Sequence, residues 1–368
     1  MRIVAIEVYT YQLSYRYGTY VMSGGRVVES LTSHVVRVVT DEGLDGWAET
    51  CPLGASYLPA HSAGVVPALA EMAPLVVGTD ATNLAAVNQQ MRMALMGHHY
   101  TKSAVDVACW DVLGRATGRP IVDLLGGRLA DEMPLYKAVP MGTAQSMVEF
   151  TLGQRKHGIH RFQLKVGNDP VADARAALAV VEATADDDVV LADANGGWRR
   201  HDAVIAARIM DSAPRLYLEQ PCPTLAECLH VRRHTTMPFV LDEVITDVGA
   251  LVEASTAGGM EAINLKLNRV GGLTAAKLIR DVAVQLGVRL TIEDSWGGDL
   301  TSAAVSHLGA STPPESLFAV SFMNDWTNEH VAAYEPRSNH GTGTAPSAPG
   351  LGVEVDRAAL GQPVAVFR

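Results

Sequence analysis

RFQLKV at 161–166, VVLAD at 189–193, RLYLE at 215–219, PFVLD at 238–242 and AINLKL at 262–267 decide how this chain folds. Each is a short apolar run with a charged residue at or near its end. Those charges recur at a steady interval: Lys165 to Asp193 is 28 residues, Asp193 to Glu219 is 26, Glu219 to Asp242 is 23 and Asp242 to Lys266 is 24. The interval holds a strand, a turn, a helix of about ten residues and a return loop. Similar runs stand at 133–139 (MPLYKAV), 288–292 (VRLTI) and 317–322 (LFAVSF), and Ala-rich, helix-forming segments separate most of the eight. Eight such units close into a parallel (β/α)8-type barrel whose active site lies at the C-terminal strand ends. An open doubly wound sheet is the alternative. The count of eight and the lack of a G-x-G-x-x-G after the first run stand against it.

Outward from the barrel, residues 2–9 (RIVAIEVY) alternate in the strand period, and 28–43 and 44–50 read as two further strands of a meander. Apolar residues then recur at helical spacing through 65–76, 83–96 and 102–116. Strands first and helices second make residues 1–128 an α+β capping domain, with the paired glycines of LLGGR as a junction. The barrel is expected over 129–325. Residues 326–368, rich in Gly, Pro, Ser and Asn, are expected to pack back on the cap, with LGVEVD at 351–356 as a strand.

The chain has 368 residues, 48% hydrophobic and 19% charged, with a formal net charge of -11. That balance fits a globular protein and disfavours nucleic-acid and anionic-membrane partners, which are met through positive charge. Cys51, Cys109, Cys222 and Cys228 lack zinc-site spacing and read as thiols. No stretch reaches 18 apolar residues, and Met1-Arg2-Ile3 leads straight into a strand pattern, so a cytoplasmic protein is expected.

Asp193, Glu219 and Asp242 end consecutive strands, where a barrel brings them together. Three adjacent buried carboxylates must protonate or be neutralised, and an all-oxygen set suits Mg2+. Asn195 and Glu243 are supporting candidates. Only six of the 29 basic residues are lysine, yet Lys165 and Lys266 sit inside strand patterns on either side of the trio. An amine that can be neutral is what arginine cannot supply, and burial together with a nearby divalent cation is expected to bring these lysines towards a general-base pKa. Lys137, on the first strand, is a candidate third pocket cation. A carboxylate substrate held between two amines is set up for removal of its α-proton, followed by reprotonation on the other face or by loss of a β-hydroxyl.

With QLKVG at 163–167, LADANGGW at 191–198, LEQPC at 218–222, LDE at 241–243 and NLKLNRVGG at 264–272, the chain resembles the enolase superfamily, in its muconate-lactonising-enzyme-like branch. The resemblance implies Mg2+ at Asp193, Glu219 and Asp242, acid/base lysines at 165 and 266, and a homo-oligomer, either dimer or octamer. Gln163 replaces a lysine common in the branch, a feature shared with members that act on proline-derived acids. GHHYTKSAVD at 97–106 and IEDSWGGD at 292–299 are similar to the cis-3-hydroxy-L-proline dehydratases and the hydroxyproline betaine 2-epimerases. That likeness implies dehydration of a small cyclic amino acid, with 2-epimerisation as the alternative. Asp294 and Trp296 are then expected to receive the ring nitrogen, and Tyr20 and Tyr57 to reach in from a lid.

Overall fold

The computed structural model describes residues 1–368. Eight parallel strands lie side by side in chain order: Lys137–Val139, Arg161–Lys165, Val189–Asp193, Leu216–Glu219, Phe239–Leu241, Ala262–Lys266, Arg289–Glu293 and Leu317–Val320. A parallel bridge between Leu135 and Val320, with the Tyr136 N–H donating to the Val320 carbonyl at 3.1 Å, brings the two outer strands together and closes the sheet. The first barrel strand is shorter than MPLYKAV suggested. Met133–Pro134 instead pairs antiparallel with Thr342–Gly343 of the C-terminal segment.

The helices between strands start where side chains can satisfy free N–H groups. Asp169 accepts from the N–H groups of Val171 and Ala172 at 3.1 and 2.7 Å, with Pro170 in the first helical turn of Pro170–Ala183. Thr143, Thr224 and Asp247 cap Ala144–Arg155, Leu225–Arg232 and Val248–Thr256 in the same way. Each cap contributes about 1 kcal/mol and fixes where the helix leaves the loop.

The N-terminal region is an antiparallel sheet of Ile3–Ser14, Ser30–Thr40 and Asp45–Thr50, followed by helices Val65–Val76, Leu84–Ala94 and His99–Thr117. The last helix is buried on almost every face because it lies between this sheet and the barrel. Gly46 permits the approach: a Cβ there would stand 2.1 Å from the Ala108 carbonyl oxygen. Asp106 ties the helix to the barrel through the Thr274 N–H at 3.0 Å and its hydroxyl at 2.6 Å.

The strand expected at 351–356 is absent. The Leu351 N–H donates to Asp111 at 2.7 Å and Asp356 caps a short helix, so these backbone groups never enter a ladder. The strand is Ala365–Phe367, which pairs antiparallel with Ile6–Val8. All four cysteines are buried free thiols. No helix is long and apolar enough to cross a membrane.

Candidate active site

The strand register assembles the site. Lys165 lies opposite Asp193, and Asp193 opposite Glu219, at the ends of the second, third and fourth strands. Asp242 follows the fifth strand, and Lys266 at the end of the sixth lies opposite Glu293 of the seventh. In-register positions on parallel neighbours share a face, so one alternation pattern turns this set of charges to one side. None of the six is more than 5% exposed.

Each charge has a named partner. Lys165 Nζ donates to Asp193. Lys266 Nζ donates to Asp242 at 2.6 Å and to the Tyr57 hydroxyl at 3.0 Å, with Glu293 at 3.7 Å. The Arg269 guanidinium takes the other Asp242 oxygen at 2.7 Å. Glu219 accepts from the side-chain amides of Gln163 at 2.8 and 3.1 Å and of Asn264 at 2.6 Å. The Asn195 amide nitrogen bridges Asp193 at 2.9 Å and Glu243 at 3.1 Å.

Burial pushes the Glu219 carboxyl well above its usual range, and repulsion from Asp193 and Asp242 adds to it. Glu243 is raised to about 7 by burial and then by the same two neighbours. Asp294 is also raised to about 7 by burial, against the N–H groups of Asn268 and Ser295 that it accepts. For Asp242, burial acts upward, but Arg269 and Lys266 outweigh it and hold the carboxyl below its normal range. At the two lysines, burial and the neighbouring carboxylates oppose each other. Burial acts to lower both, yet Asp193 beside Lys165 and Asp242 beside Lys266 win, and both amines are raised.

A small cavity opens beside these groups. Lys165, Lys266, Gln163, Asp294, Tyr20 and Tyr57 line it. Asn195 lies behind Asp193 rather than at the wall, and Trp296 stands behind Tyr20, their ring centroids 5.4 Å apart. The aromatic wall is completed by Tyr136 and Trp326, which sequence reasoning did not single out. It also missed Arg269, Asn264 and Glu293. Glu293 carries the signal that found the other carboxylates, an apolar run (RLTIE) closing on an acid. Arg269 and Asn264 offered only their nearness to Lys266. Lys137 is not in this cavity: Tyr136 donates to Glu293 inside the barrel, so its neighbour on the strand points outward.

Asp193, Glu219 and Asp242 offer only oxygen donors. Around them, six carboxyl groups (these three with Glu293, Asp294 and the half-buried Glu243) face three cations, Lys165, Lys266 and Arg269. Asn195 Oδ1 and Glu243 Oε2 are buried with no hydrogen-bond partner. Excess carboxyl groups with unfilled oxygens beside them fit a hard divalent cation. A second acidic group, His160, Asp187 and Asp188, lies at the opposite end of the barrel, where Arg155 at 2.8 Å and His160 at 2.7 Å already occupy Asp188.

Residues 5–126 match the mandelate racemase/muconate lactonizing enzyme N-terminal domain, and residues 146–359 match the enolase C-terminal domain-like family. The chain is 43% identical to cis-3-hydroxy-L-proline dehydratase of Roseibium aggregatum, over the full length of both. It is 25% identical to N-succinyl-L-Arg/Lys racemase of Bacillus cereus, covering all of this chain and 99% of that one. Among solved structures, a mandelate racemase/muconate lactonizing enzyme from Roseovarius nubinhibens superposes with a TM-score of 0.96 at 36% identity, covering 100% of this chain and 98% of that one. An enolase-superfamily member from the same organism, complexed with magnesium, gives 0.94 at 37% identity, covering 100% and 99%.

Proposed function

We propose that this chain, which belongs to the mandelate racemase/muconate lactonizing enzyme family of the enolase superfamily, is a hydro-lyase converting cis-3-hydroxy-L-proline to Δ1-pyrroline-2-carboxylate. The observation that carries the reading is the pair of amines, Lys165 and Lys266, lining one small cavity from strands on either side of three carboxylate-bearing strand ends. The full-length identity to a dehydratase of that substrate supports it.

Asp193, Glu219 and Asp242 are the residues that would hold Mg2+. Bound there, the ion would supply a Lewis acid for the substrate carboxylate and draw negative charge away from the two ammonium groups, favouring a neutral lysine. In the substrate the 2-proton and the 3-hydroxyl lie on opposite ring faces. One lysine takes the 2-proton to give the enediolate. The other donates a proton to the departing 3-hydroxyl, so the C2–H and C3–O bonds break and water leaves. The remaining enamine tautomerises to the Δ1-imine. Asp294 and the Tyr20–Trp326 wall suit the cationic ring nitrogen, since a carboxyl and aromatic faces both attract an ammonium. The aromatic cover also excludes water from the carbanionic intermediate.

Purified protein incubated with cis-3-hydroxy-L-proline and Mg2+ should yield a product trapped by o-aminobenzaldehyde, and chelation of the metal should abolish it. A metal-loaded enzyme that gives no trapped product rejects the dehydratase reading. The racemase relative and the two-sided lysine arrangement favour one alternative, 2-epimerisation of a proline betaine. That reaction would place solvent deuterium at C2 of recovered substrate with the hydroxyl retained.

A further inference from the structure

We infer that the outer wall of the barrel carries a second small-molecule site, for a compact, multiply charged carboxylate or phosphate anion, with the Lys137 ammonium at its floor. Lys137 is 4% exposed, and its ammonium makes no ion pair within 4 Å and no hydrogen bond. It is pressed between the rings of Tyr17, at 5.3 Å, and Trp326, at 5.1 Å. Aromatic faces offset only part of the cost of taking an ammonium out of water, so a buried charge held this way still lacks a counterion.

The space above it is cationic. A cavity of about 480 Å3, open to solvent, is bounded by Arg16, Lys156, His157 and His340, with Asp325 the one carboxylate in its lining. Asp325 already accepts the Tyr334 hydroxyl at 2.8 Å. In a chain of net charge -11 with six lysines, two of those lysines line this cavity. Such a concentration is not a sample of the average surface. Three fixed cations around one depression call for more than one negative charge, and carboxylate or phosphate oxygens are the acceptors that ammonium and guanidinium groups bind most strongly.

The walls come from three separated parts of the chain and are held firmly. The C-terminal wall keeps Ala333, Tyr334 and His340 at φ of 57, 60 and 45°, a conformation that costs non-glycine residues about 1 kcal/mol or more each. It is pinned at Gly341, where a Cβ would stand 1.9 Å from the Gly158 carbonyl oxygen. Trp326 is shared: it lines the catalytic cavity as well as covering Lys137. Its indole therefore reports on occupancy of the outer site and connects that site to the inner one.

The test is titration of the full-length, Mg2+-loaded protein with inorganic phosphate and, separately, with succinate. Ionic strength is held constant with chloride, and binding is read by calorimetry and tryptophan fluorescence. Saturable binding of at least one probe is expected with a dissociation constant of about 1 mM or below. The stronger probe identifies phosphate or carboxylate as the natural group. Lys137→Met and the surface variant Arg16→Gln should each weaken that binding at least about tenfold, a change of roughly 1.4 kcal/mol. The proposal is overturned if neither probe saturates, or if affinity is unchanged in both variants. It is overturned equally if saturating cis-3-hydroxy-L-proline abolishes the signal by direct competition, which would place the anion in the catalytic cavity.

Discussion

Lys266 and Lys137 stand in the same barrel sheet, 5% and 4% exposed, and their environments act on them in opposite directions. Inside the barrel, Lys266 touches Asp242 and Tyr57, and its pKa is raised well above normal against the effect of burial. Outside, Lys137 touches only rings, and burial lowers it to about 8. Desolvation is common to both, so the contacting partner sets the protonation state. A lysine between carboxylates is a charge the fold has already compensated. A lysine between rings is a charge the fold tolerates.

The largest effect should come from removing the inner amines. Lys165→Met and Lys266→Met should each lower turnover of cis-3-hydroxy-L-proline by about 10³-fold or more while the circular dichroism spectrum is retained. In deuterated water, the variant that keeps the base should still exchange the 2-proton. Equal, near-normal turnover in both variants would deny the inner amines a part in proton transfer and leave them no different in kind from Lys137.

Lys137→Met should act on stability, and upward. An amine that titrates at about 8 when folded and about 10.4 when unfolded binds fewer protons in the folded state between those values. Stability therefore rises with pH across that window, and the penalty is fully present below pH 8. Removing the amine should recover up to about 3 kcal/mol near neutral pH in chloride buffer, with the gain vanishing above about pH 10.5. Equilibrium urea unfolding from pH 6 to 10.5 measures both. No gain at pH 7 would mean that the ammonium has a counterion.

Tyr57→Phe probes the inner side more finely, because it removes one hydroxyl shared by Lys266 and Asp242 and leaves every charged group in place. Turnover should fall by about tenfold, the scale of a hydrogen bond to a charged group, and a fall as large as that of Lys266→Met would make Tyr57 part of the proton transfer itself. Asp325→Asn has the smallest expected effect. It removes the carboxylate whose field raises Lys137, so the stability gain of Lys137→Met, measured in protein that already carries Asp325→Asn, should go on growing below pH 8 and level off only at a lower pH. An unchanged window would mean that Asp325 does not act on the amine.

Much of this was legible in the chain. The 23–28-residue beat gave eight parallel strands in sequence order, because a parallel strand and its return helix need a fixed length of chain. Asp193, Glu219, Lys165 and Lys266 were readable because a charge closing an apolar run is conspicuous. The C-terminal segment was less so. LGVEVD has a strand's alternation, but Asp111 and Asp356 claim its neighbourhood's N–H groups, and the ladder forms instead at 365–367. Local pattern cannot show which distant acceptor a backbone group will find.

Periodicity and the cost of burying charge were enough to specify the barrel, the parallel register of its charges and the residue types available for proton transfer, and both are written in the order of the amino acids. The remainder came from the folded arrangement. It gave Asp242 to Arg269 as well as Lys266, drew Trp326 into the cavity wall in front of Trp296, and turned Lys137 out of the barrel towards a basin built from residues 16, 156 and 340. Those outcomes depend on through-space electrostatics and packing between segments hundreds of residues apart, and no spacing along the chain encodes which of them will meet.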